Sequence, residues 1–413
     1  PSIILTAVLG WELQPTVIFV GILVILYTVI GGSKAVSYTQ KYQMYVILIG
    51  LIVSFYYLNS YIFDQITFSK SFEIIKMFNK NNAISFSFDP KEKYTLWTGL
   101  LGGFFLSLSY FGTDQSQVSR YINAKDQKES RIGLIFNAIL KIPFQFLILY
   151  IGILLFVFYC VYQPPVNFNN SLIDYQSKNN PELLESVSKE SKIIFEEKKE
   201  LITDYKTDRN LLINKDKELA MSRKQLEIDA LDSGFAYQRP ETDFIFLHFI
   251  LNYLPQGLIG LMIALILSAA MSSTSAEISA LSAITTIDIY KRFFQKENND
   301  KTDVLMSRIF TLFWGFISIL VALFFAQQEN LIESINIIAS LLYGNVLGIF
   351  LIAFFLSKIK SNNVFFGSIL SQLTVFIMYF VLGKTIGYLW FNLIGTVLTC
   401  LFSICLYYLA NKK

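Results

Sequence analysis

A run of small and hydroxyl-bearing residues, 268–275, interrupts a long apolar stretch of the sequence. Within it Ala269, Ser272 and Ser273 follow one another at the i, i+3, i+4 spacing that places residues on one face of a helix. A hard cation such as sodium is bound by oxygen atoms, which serine hydroxyls and backbone carbonyls supply without a full charge. Small residues also let helices pack closely. The run therefore predicts either a cation site or a packing surface.

A second polar stretch, 107–115, holds Ser107, Tyr110, Gly112 and Asp114 within an otherwise apolar segment. Glycine and dense polar side chains favour a local break in a helix, and broken helices line the binding sites of many membrane transporters. The alternative is a helix that approaches its end near the cytoplasmic surface.

Lys141 lies more than one helical turn inside an apolar segment, and Pro143 follows it. A proline inside a helix frees backbone groups and can kink the helix. An ionisable residue at membrane depth is a candidate functional residue, so Lys141 would contact a solute in a cavity. Alternatively, its long side chain would extend the ammonium group to the inner interface.

The composition indicates that these residues lie in a membrane. Of the 413 residues 54% are hydrophobic and only 16% are charged, whereas a soluble domain carries about 25% charged residues. We count about nine apolar segments, each long enough to cross a bilayer core, which takes roughly 20 residues. They lie near 13–31, 43–63, 97–121, 133–162, 256–288, 305–327, 335–357, 364–383 and 386–410. Such runs are too long for barrel strands, so the sequence predicts an all-α membrane protein.

Lysine and arginine are concentrated in the short connections near 34–41, 125–131, 291–301, 358–360 and 412–413. Basic residues are enriched on the cytoplasmic side of membrane proteins. We therefore predict that these connections and the C-terminus are cytoplasmic, and that the protein spans the inner membrane many times.

One long polar segment, 164–240, separates the apolar segments into two groups, 1–163 and 241–413. The predicted orientation makes it extracytoplasmic. Its apolar residues recur at roughly helical spacing, which predicts one or two amphipathic helices; a solvated, partly disordered loop is the alternative. It could bind a protein partner, although nothing in it specifies one.

Several classes of function find no support in the sequence. His248 is the only histidine, and Cys160, Cys400 and Cys405 have no metal-binding or redox spacing. There is no phosphate-binding loop, dinucleotide fingerprint or nucleophile–base pair, so we do not expect an enzyme. The net charge of +3 provides no basic field for nucleic acid.

Three stretches together resemble the sodium:solute symporter family. They run from Tyr27 to Thr39 through a Gly-Gly pair, from Tyr110 to Tyr121 through Phe-Gly-Thr-Asp-Gln, and from Leu254 to Lys291 through Ala-Ala-Met-Ser-Ser. Members of this family carry sugars, proline or sialic acid together with sodium. The resemblance covers nearly the whole chain except 164–240.

The resemblance implies two inverted repeats of five helices, with a sodium site and a solute site at their interface. Residues 1–163 would then run from the tail of the third core helix to the seventh, and 241–413 from the eighth core helix to the C-terminus. The sequence starts at Pro1 without a methionine, and we interpret its start as the end of a truncated helix. The first core helices, which contribute to both sites, would be missing.

The resemblance also implies roles for particular residues in ion binding. Ala269, Ser272 and Ser273 match the main sodium ligands of the family. Gln40 stands where many members carry an aspartate, and no second serine follows Ser275 directly. We therefore expect no second sodium ion, with Ser275 and Gln40 as the remnant of that site.

For the solute, the resemblance implies contacts from Ser107, Tyr110, Lys141 and Asn336, with Tyr110 as an inner gate. The expected function is sodium-coupled symport of a small polar organic solute across the cytoplasmic membrane, and Ser107 and Lys141 favour a sugar or sugar acid. The alternative is a transporter-like solute sensor or membrane scaffold that acts through 164–240.

Overall fold

The computed structural model describes residues 2–82, 84–122, 124, 126–203, 208–235, 241–294, 300–325, 331–383 and 385–411. Inside the helices, it leaves aside the side chains at 7, 32–41, 120, 325, 331, 332, 334 and 411. All regular structure in the described ranges is helical. The prediction of an all-α protein is therefore confirmed.

The α-helices are α1 (Ser2–Leu9), α2 (Leu13–Gln65), α3 (Phe68–Met77), α4 (Gly103–Thr113), α5 (Gln115–Ile122), α6 (Gln127–Val161), α7 (Asn170–Asn179), α8 (Pro181–Thr203), α9 (Arg209–Asp232), α10 (Ile245–Tyr253), α11 (Gln256–Ile284), α12 (Asp300–Phe325), α13 (Leu331–Phe355), α14 (Ser361–Leu382) and α15 (Trp390–Asn411). Short π-helical segments, Thr98–Gly102 and Thr285–Lys291, and a 3₁₀ turn, Glu241–Phe244, adjoin them.

Within the described residues, eight helical segments are long and apolar enough to cross a membrane. They correspond to eight of the predicted segments. The ninth, predicted near 97–121, is divided by Asp114, whose backbone is extended (φ −74°, ψ 118°). The predicted break in the polar stretch is therefore confirmed, and it leaves α4 and α5 too short to be counted as spanning helices.

The first two predicted spans are continuous in the structure, because α2 runs without interruption for 53 residues. At about 1.5 Å per residue such a helix is about 80 Å long, well beyond the roughly 30 Å of a bilayer core. Its two apolar windows are Leu13–Gly31 and Tyr42–Gln65. The prediction of a loop around 34–41 is wrong for the backbone: no proline interrupts this stretch, and the helix continues through it.

The chain divides into two compact units, and the first comprises residues 1–81 and 135–329. In it, α2 packs along α11 and α12. An aromatic cluster centred on the buried Phe158 of α6 joins this helix to α2 and α10. Phe158 stacks on Tyr162 at 4.5 Å between ring centroids and packs edge-on against Tyr61, Phe249 and Tyr253. These rings fix the C-terminal half of α6.

The polar segment 164–240 belongs to the first unit and forms three helices, α7, α8 and α9, where we predicted one or two. Leu212, Leu219 and Leu226 recur every seven residues on α9 and are buried, as expected for a helix that packs along a partner helix. Ile202 and Leu212 join the same hydrophobic core as the aromatic cluster. The described part of the segment is therefore an ordered helical subdomain.

The second unit comprises residues 82–134 and 330–413. Its main packing is of α13 and α14 against α15, and α4 packs against α13. Gly344 on α13 lies directly against the backbone of α15, since a Cβ built on it would stand 2.3 Å from the carbonyl oxygen of Asn392. Small residues at such crossings let helices approach closely in a membrane.

Candidate functional site

The three predicted sodium ligands lie on consecutive turns of α11, within the first unit. The hydroxyl of Ser273 donates a 3.0 Å hydrogen bond to the carbonyl oxygen of Ala269. The side chain of Ser272 is 2% exposed, and its Oγ has no hydrogen-bond partner among the described residues. The helix is continuous here, so it presents one carbonyl and two hydroxyl oxygens on neighbouring positions.

The unpaired hydroxyl of Ser272 is the distinctive feature of this cluster. Leaving a buried polar group without a partner costs about 1–3 kcal/mol, so native proteins rarely do so without a reason. A cation bound by oxygen atoms would satisfy Ser272 and would compete with Ser273 for the Ala269 carbonyl. The donor set, all oxygen and without a formal charge, suits sodium better than a transition metal.

Two hydrogen bonds join α11 to α2 on either side of Ser272 along the helix. Thr28 Oγ1 lies 2.7 Å from Ser275 Oγ, with both residues buried. Gln43 Nε2 donates to Ser268 Oγ at 2.6 Å. Gln43 follows Thr28 along α2, whereas its partner Ser268 precedes Ser275 along α11. The two helices are therefore antiparallel. These bonds hold the helix that carries the candidate site.

Of the two residues predicted as a remnant of a second sodium site, the structure describes the side chain of Ser275. Ser275 uses its hydroxyl in the contact with Thr28, which accounts for its burial without an ion. The side chain of Gln40 lies outside the described residues. The neighbouring Gln43, which the sequence analysis did not single out, makes the described contact with α11.

Two of the predicted solute contacts lie on α4 in the second unit. Ser107 is exposed and Tyr110 is half-buried, with its ring 5.1 Å from that of Phe111. The contacts that hold this region come from other residues of the same polar stretch. Ser109 is buried and donates to the carbonyl oxygen of Tyr343 at 2.9 Å, and Asp114 accepts from the Tyr343 hydroxyl at 2.7 Å.

The other two predicted solute contacts are on different helices. Asn336 is half-buried on α13 in the second unit, two helical turns before Tyr343. Lys141 is exposed on α6 in the first unit, and the helix continues through Pro143. The structure thus places the candidates on three elements, of which α4 and α13 pack together.

Sequence reasoning missed Thr28, Gln43 and Tyr343 as contact residues. Thr28 and Gln43 are polar positions in the apolar windows of α2 or at their edges, and such positions are a usable signal in a membrane helix. Tyr343 carried no such signal, because a tyrosine in an apolar helix is equally suited to packing or to the interface.

Titratable groups form no metal-binding cluster of three or more within the described ranges. His248 forms a 2.8 Å hydrogen bond through Nδ1 with the Tyr159 hydroxyl, and burial lowers the pKa of His248 below its usual value. In the polar segment, the ammonium group of Lys198 is buried and lies 2.5 Å from Asp216. Burial lowers the pKa of Lys198, but neighbouring Cys160 and Asp216 outweigh it, and the pKa ends above its usual value.

Comparison with known proteins places this arrangement in a family. The model of the sodium:solute symporter family matches residues 2–180 and 235–371, which is most of the chain. The gap in the match, 181–234, coincides with α8, α9 and the connection between them.

The related proteins are distant in sequence. The sodium/sialic acid symporter NanT of Aliivibrio fischeri is 22% identical over 92% of this chain and 61% of its own length. The sodium/glucose cotransporter 1 of Oryctolagus cuniculus is 23% identical over 90% of this chain and 50% of its own. The human sodium/iodide cotransporter is 30% identical over 38% of this chain and 24% of its own length. The chain therefore spans less than two thirds of these relatives.

The fold has a solved counterpart. The substrate-bound, outward-open structure of a Na⁺-coupled sialic acid symporter superposes with a TM-score of 0.67 and covers 99% of this chain and 70% of its own, at 19% identity. At this identity the likeness supports the inverted-repeat transporter fold, and the family match supports it independently. The chain belongs to the sodium:solute symporter family.

Proposed function

We propose that the protein carries a small polar organic solute across the cytoplasmic membrane together with sodium. The observation that carries the proposal is the oxygen cluster of Ala269, Ser272 and Ser273 on α11, in which the buried Ser272 hydroxyl has no hydrogen-bond partner in the part of the chain that the structure describes. The family match over most of the chain supports the same function. Sodium is the expected coupling ion, held by these three residues and by ligands from elsewhere in the whole protein.

Coupling requires only that sodium binds one conformation better than the other. When Ser272, Ser273 and the Ala269 carbonyl bind sodium, they favour the state in which the whole site is assembled. Solute would then bind better in that state, and release on the other side of the membrane would follow the loss of sodium. No covalent bond is made or broken, so we propose a transporter rather than an enzyme.

The solute is best described by its chemistry. Ser107, Tyr110, Lys141 and Asn336 would offer hydroxyl, amide and ammonium groups, which suit a sugar or a sugar acid. The names of the sialic acid and glucose symporters among the relatives agree with that class. We further propose an inner-membrane location with a cytoplasmic C-terminus, which would place 164–240 on the outer side.

The test is uptake by the full-length protein in proteoliposomes, with and without an inward sodium gradient. The solutes to compare are neutral sugars, sialic acids and amino acids. Sodium-dependent accumulation of a sugar or sugar acid is the expected result. Uptake that is independent of the sodium gradient would contradict the proposal of symport. Selective uptake of proline would contradict the proposed solute class.

A transporter-like sensor or scaffold is the second candidate, and the order of the polar segment favours it. The helices α8 and α9 pack through buried leucines and through the Lys198–Asp216 ion pair, although the family model has no counterpart for them. Deletion of 181–234 from the full-length protein distinguishes the two. If the protein is a transporter, we expect sodium-driven uptake to continue after the deletion. A folded protein that takes up no solute, either before or after the deletion, would favour the sensor.

A further inference from the structure

A cavity at the junction of the polar segment and the first two helices is separate from the candidate ion and solute residues. It has a volume of about 520 Å³, within the roughly 300–1,000 Å³ that is usual for small-molecule sites. One wall is the α1–α2 turn with Trp11 and Glu12, and the opposite wall is α7 together with the turn after α9. All of it lies within the first unit.

The side-chain amide of Asn169, at the wall formed by α7, is only partly used by the protein. Asn169 is only 6% exposed; its Oδ1 accepts from the Ser171 backbone N–H at 3.1 Å. That cap leaves the two N–H donors of the Asn169 amide available to a ligand. The cavity lining therefore includes amide donors.

Aromatic rings and one charge complete the lining. Tyr175 stacks on Phe235 with ring centroids 4.2 Å apart. Trp11 packs edge-on against Phe19 and remains 47% exposed, so much of its ring stays accessible. Glu12 is the only charged side chain among the described residues that line the cavity.

The walls are built by backbone that depends on glycine. Gly10 and Gly234 both adopt positive φ, at +69° and +78°, in the turns that carry Trp11 and Phe235. Gly234 also falls in the stretch that the family model does not match. The cavity is therefore partly a feature of this chain's own polar segment.

We propose that this cavity binds a neutral, hydroxyl-rich solute of monosaccharide size, separately from the sodium-coupled site. The apolar face of a sugar ring would pack on Trp11, and its hydroxyls would donate to Glu12 and accept from Asn169. The carboxylate of Glu12 disfavours anionic sugars, since like charges repel. Binding itself needs no sodium; a role in delivering solute to the transport path rests on the proposed function.

Sugar binding to the cavity is tested by equilibrium dialysis of the purified full-length protein in sodium-free buffer. The probes are radiolabelled glucose and glucuronate. These sugars share a ring and differ in charge. We expect saturable binding of glucose and at least about tenfold weaker binding of glucuronate, which corresponds to roughly 1.4 kcal/mol. Glu12→Gln should narrow that difference by strengthening glucuronate binding.

Asn169→Asp keeps the side-chain acceptor that caps α7 and removes the amide donors, so glucose binding should weaken about tenfold while the fold is preserved. Asn214→Asp is the matched control, because Asn214 is exposed on α9 and lies outside the cavity lining. Absence of saturable sodium-free binding, or equal effects of the two Asn→Asp variants, would overturn the proposal. Sodium-driven uptake measured on the same preparations reports separately on the proposed function.

Discussion

The hydroxyl of Tyr343 on α13 donates a 2.7 Å hydrogen bond to Oδ2 of Asp114, the residue at which α4 ends. The other carboxylate oxygen of Asp114 accepts from the backbone N–H and the hydroxyl of Ser116, at 2.9 and 2.7 Å. Asp114 thus caps α5 and ties the break between α4 and α5 to a neighbouring spanning helix. A break fixed in this way positions Tyr110 one turn before it.

Replacing Tyr343 tests whether this bond stabilises the broken helix. Tyr343→Phe removes the donor and keeps the ring, so we expect a loss of about 1.5–3 kcal/mol in stability, the range for hydrogen bonds to charged groups. Thermal unfolding of the detergent-solubilised protein measures it. Tyr379→Phe is the control, since the ring of Tyr379 packs on Phe391 and no described hydrogen bond uses its hydroxyl. Equal losses in the two variants would refute the role of the Asp114 bond.

The ion pair between the buried ammonium group of Lys198 and the half-buried Asp216 should be essential to the polar segment. Asp216→Asn leaves a buried ammonium group without its counter-charge, which destabilises proteins by about 3–5 kcal/mol. Glu185→Gln removes the exposed partner of Lys189 and should change stability by less than about 1 kcal/mol. The rate of limited proteolysis between α8 and α9 measures the stability of the polar segment in both variants. Similar cleavage rates in the two variants would contradict the prediction.

The raised pKa of Lys198 also determines how the stability of the polar segment changes with pH. Its pKa in the folded protein is raised above the usual value of 10.5, so the folded state binds the proton more tightly than the unfolded state does. The stabilisation is fully present below pH 10.5 and is lost as pH rises through the folded-state pKa. Proteolysis of the polar segment should therefore accelerate in alkali, and Lys198→Met should remove that acceleration.

Close packing between α13 and α15 predicts a steric effect at Gly344. A methyl group there would stand 2.3 Å from the Asn392 carbonyl oxygen, so Gly344→Ala forces the helices apart and should cost about 1–3 kcal/mol. Gly152→Ala on α6 meets no atom within 4 Å and should be neutral or slightly stabilising. Thermal unfolding distinguishes the two, and a neutral Gly344→Ala would contradict the observed packing.

Features that depend on local sequence were predictable. Hydropathy identified the spanning segments, because a bilayer requires long apolar helices. Gly112 and its polar neighbours indicated the break that the structure places at Asp114. The i, i+3, i+4 spacing placed Ala269, Ser272 and Ser273 together on α11.

Features that depend on distant parts of the chain were not predictable. The Thr28–Ser275 bond joins residues 247 positions apart, and only the register of α2 against α11 creates it. The number of helices in 164–240 was underestimated, because short amphipathic helices in a charged segment resemble a solvated loop until their partners are known. The continuity of α2 was not predictable because the lysines at 34 and 41 are typical of a short connection between spanning helices.

The most direct test of the account is the sodium dependence of solute uptake by full-length Ser273→Ala in proteoliposomes. The variant removes the hydroxyl bonded to the Ala269 carbonyl, and Thr274→Ala is the matched control because Thr274 makes the equivalent 2.9 Å bond to Ala270. We expect the sodium concentration for half-maximal uptake to rise about fivefold or more in Ser273→Ala, consistent with the loss of about 1 kcal/mol of ligand binding, and to stay unchanged in Thr274→Ala. An unchanged sodium dependence in folded Ser273→Ala would contradict the assignment of the sodium site to α11.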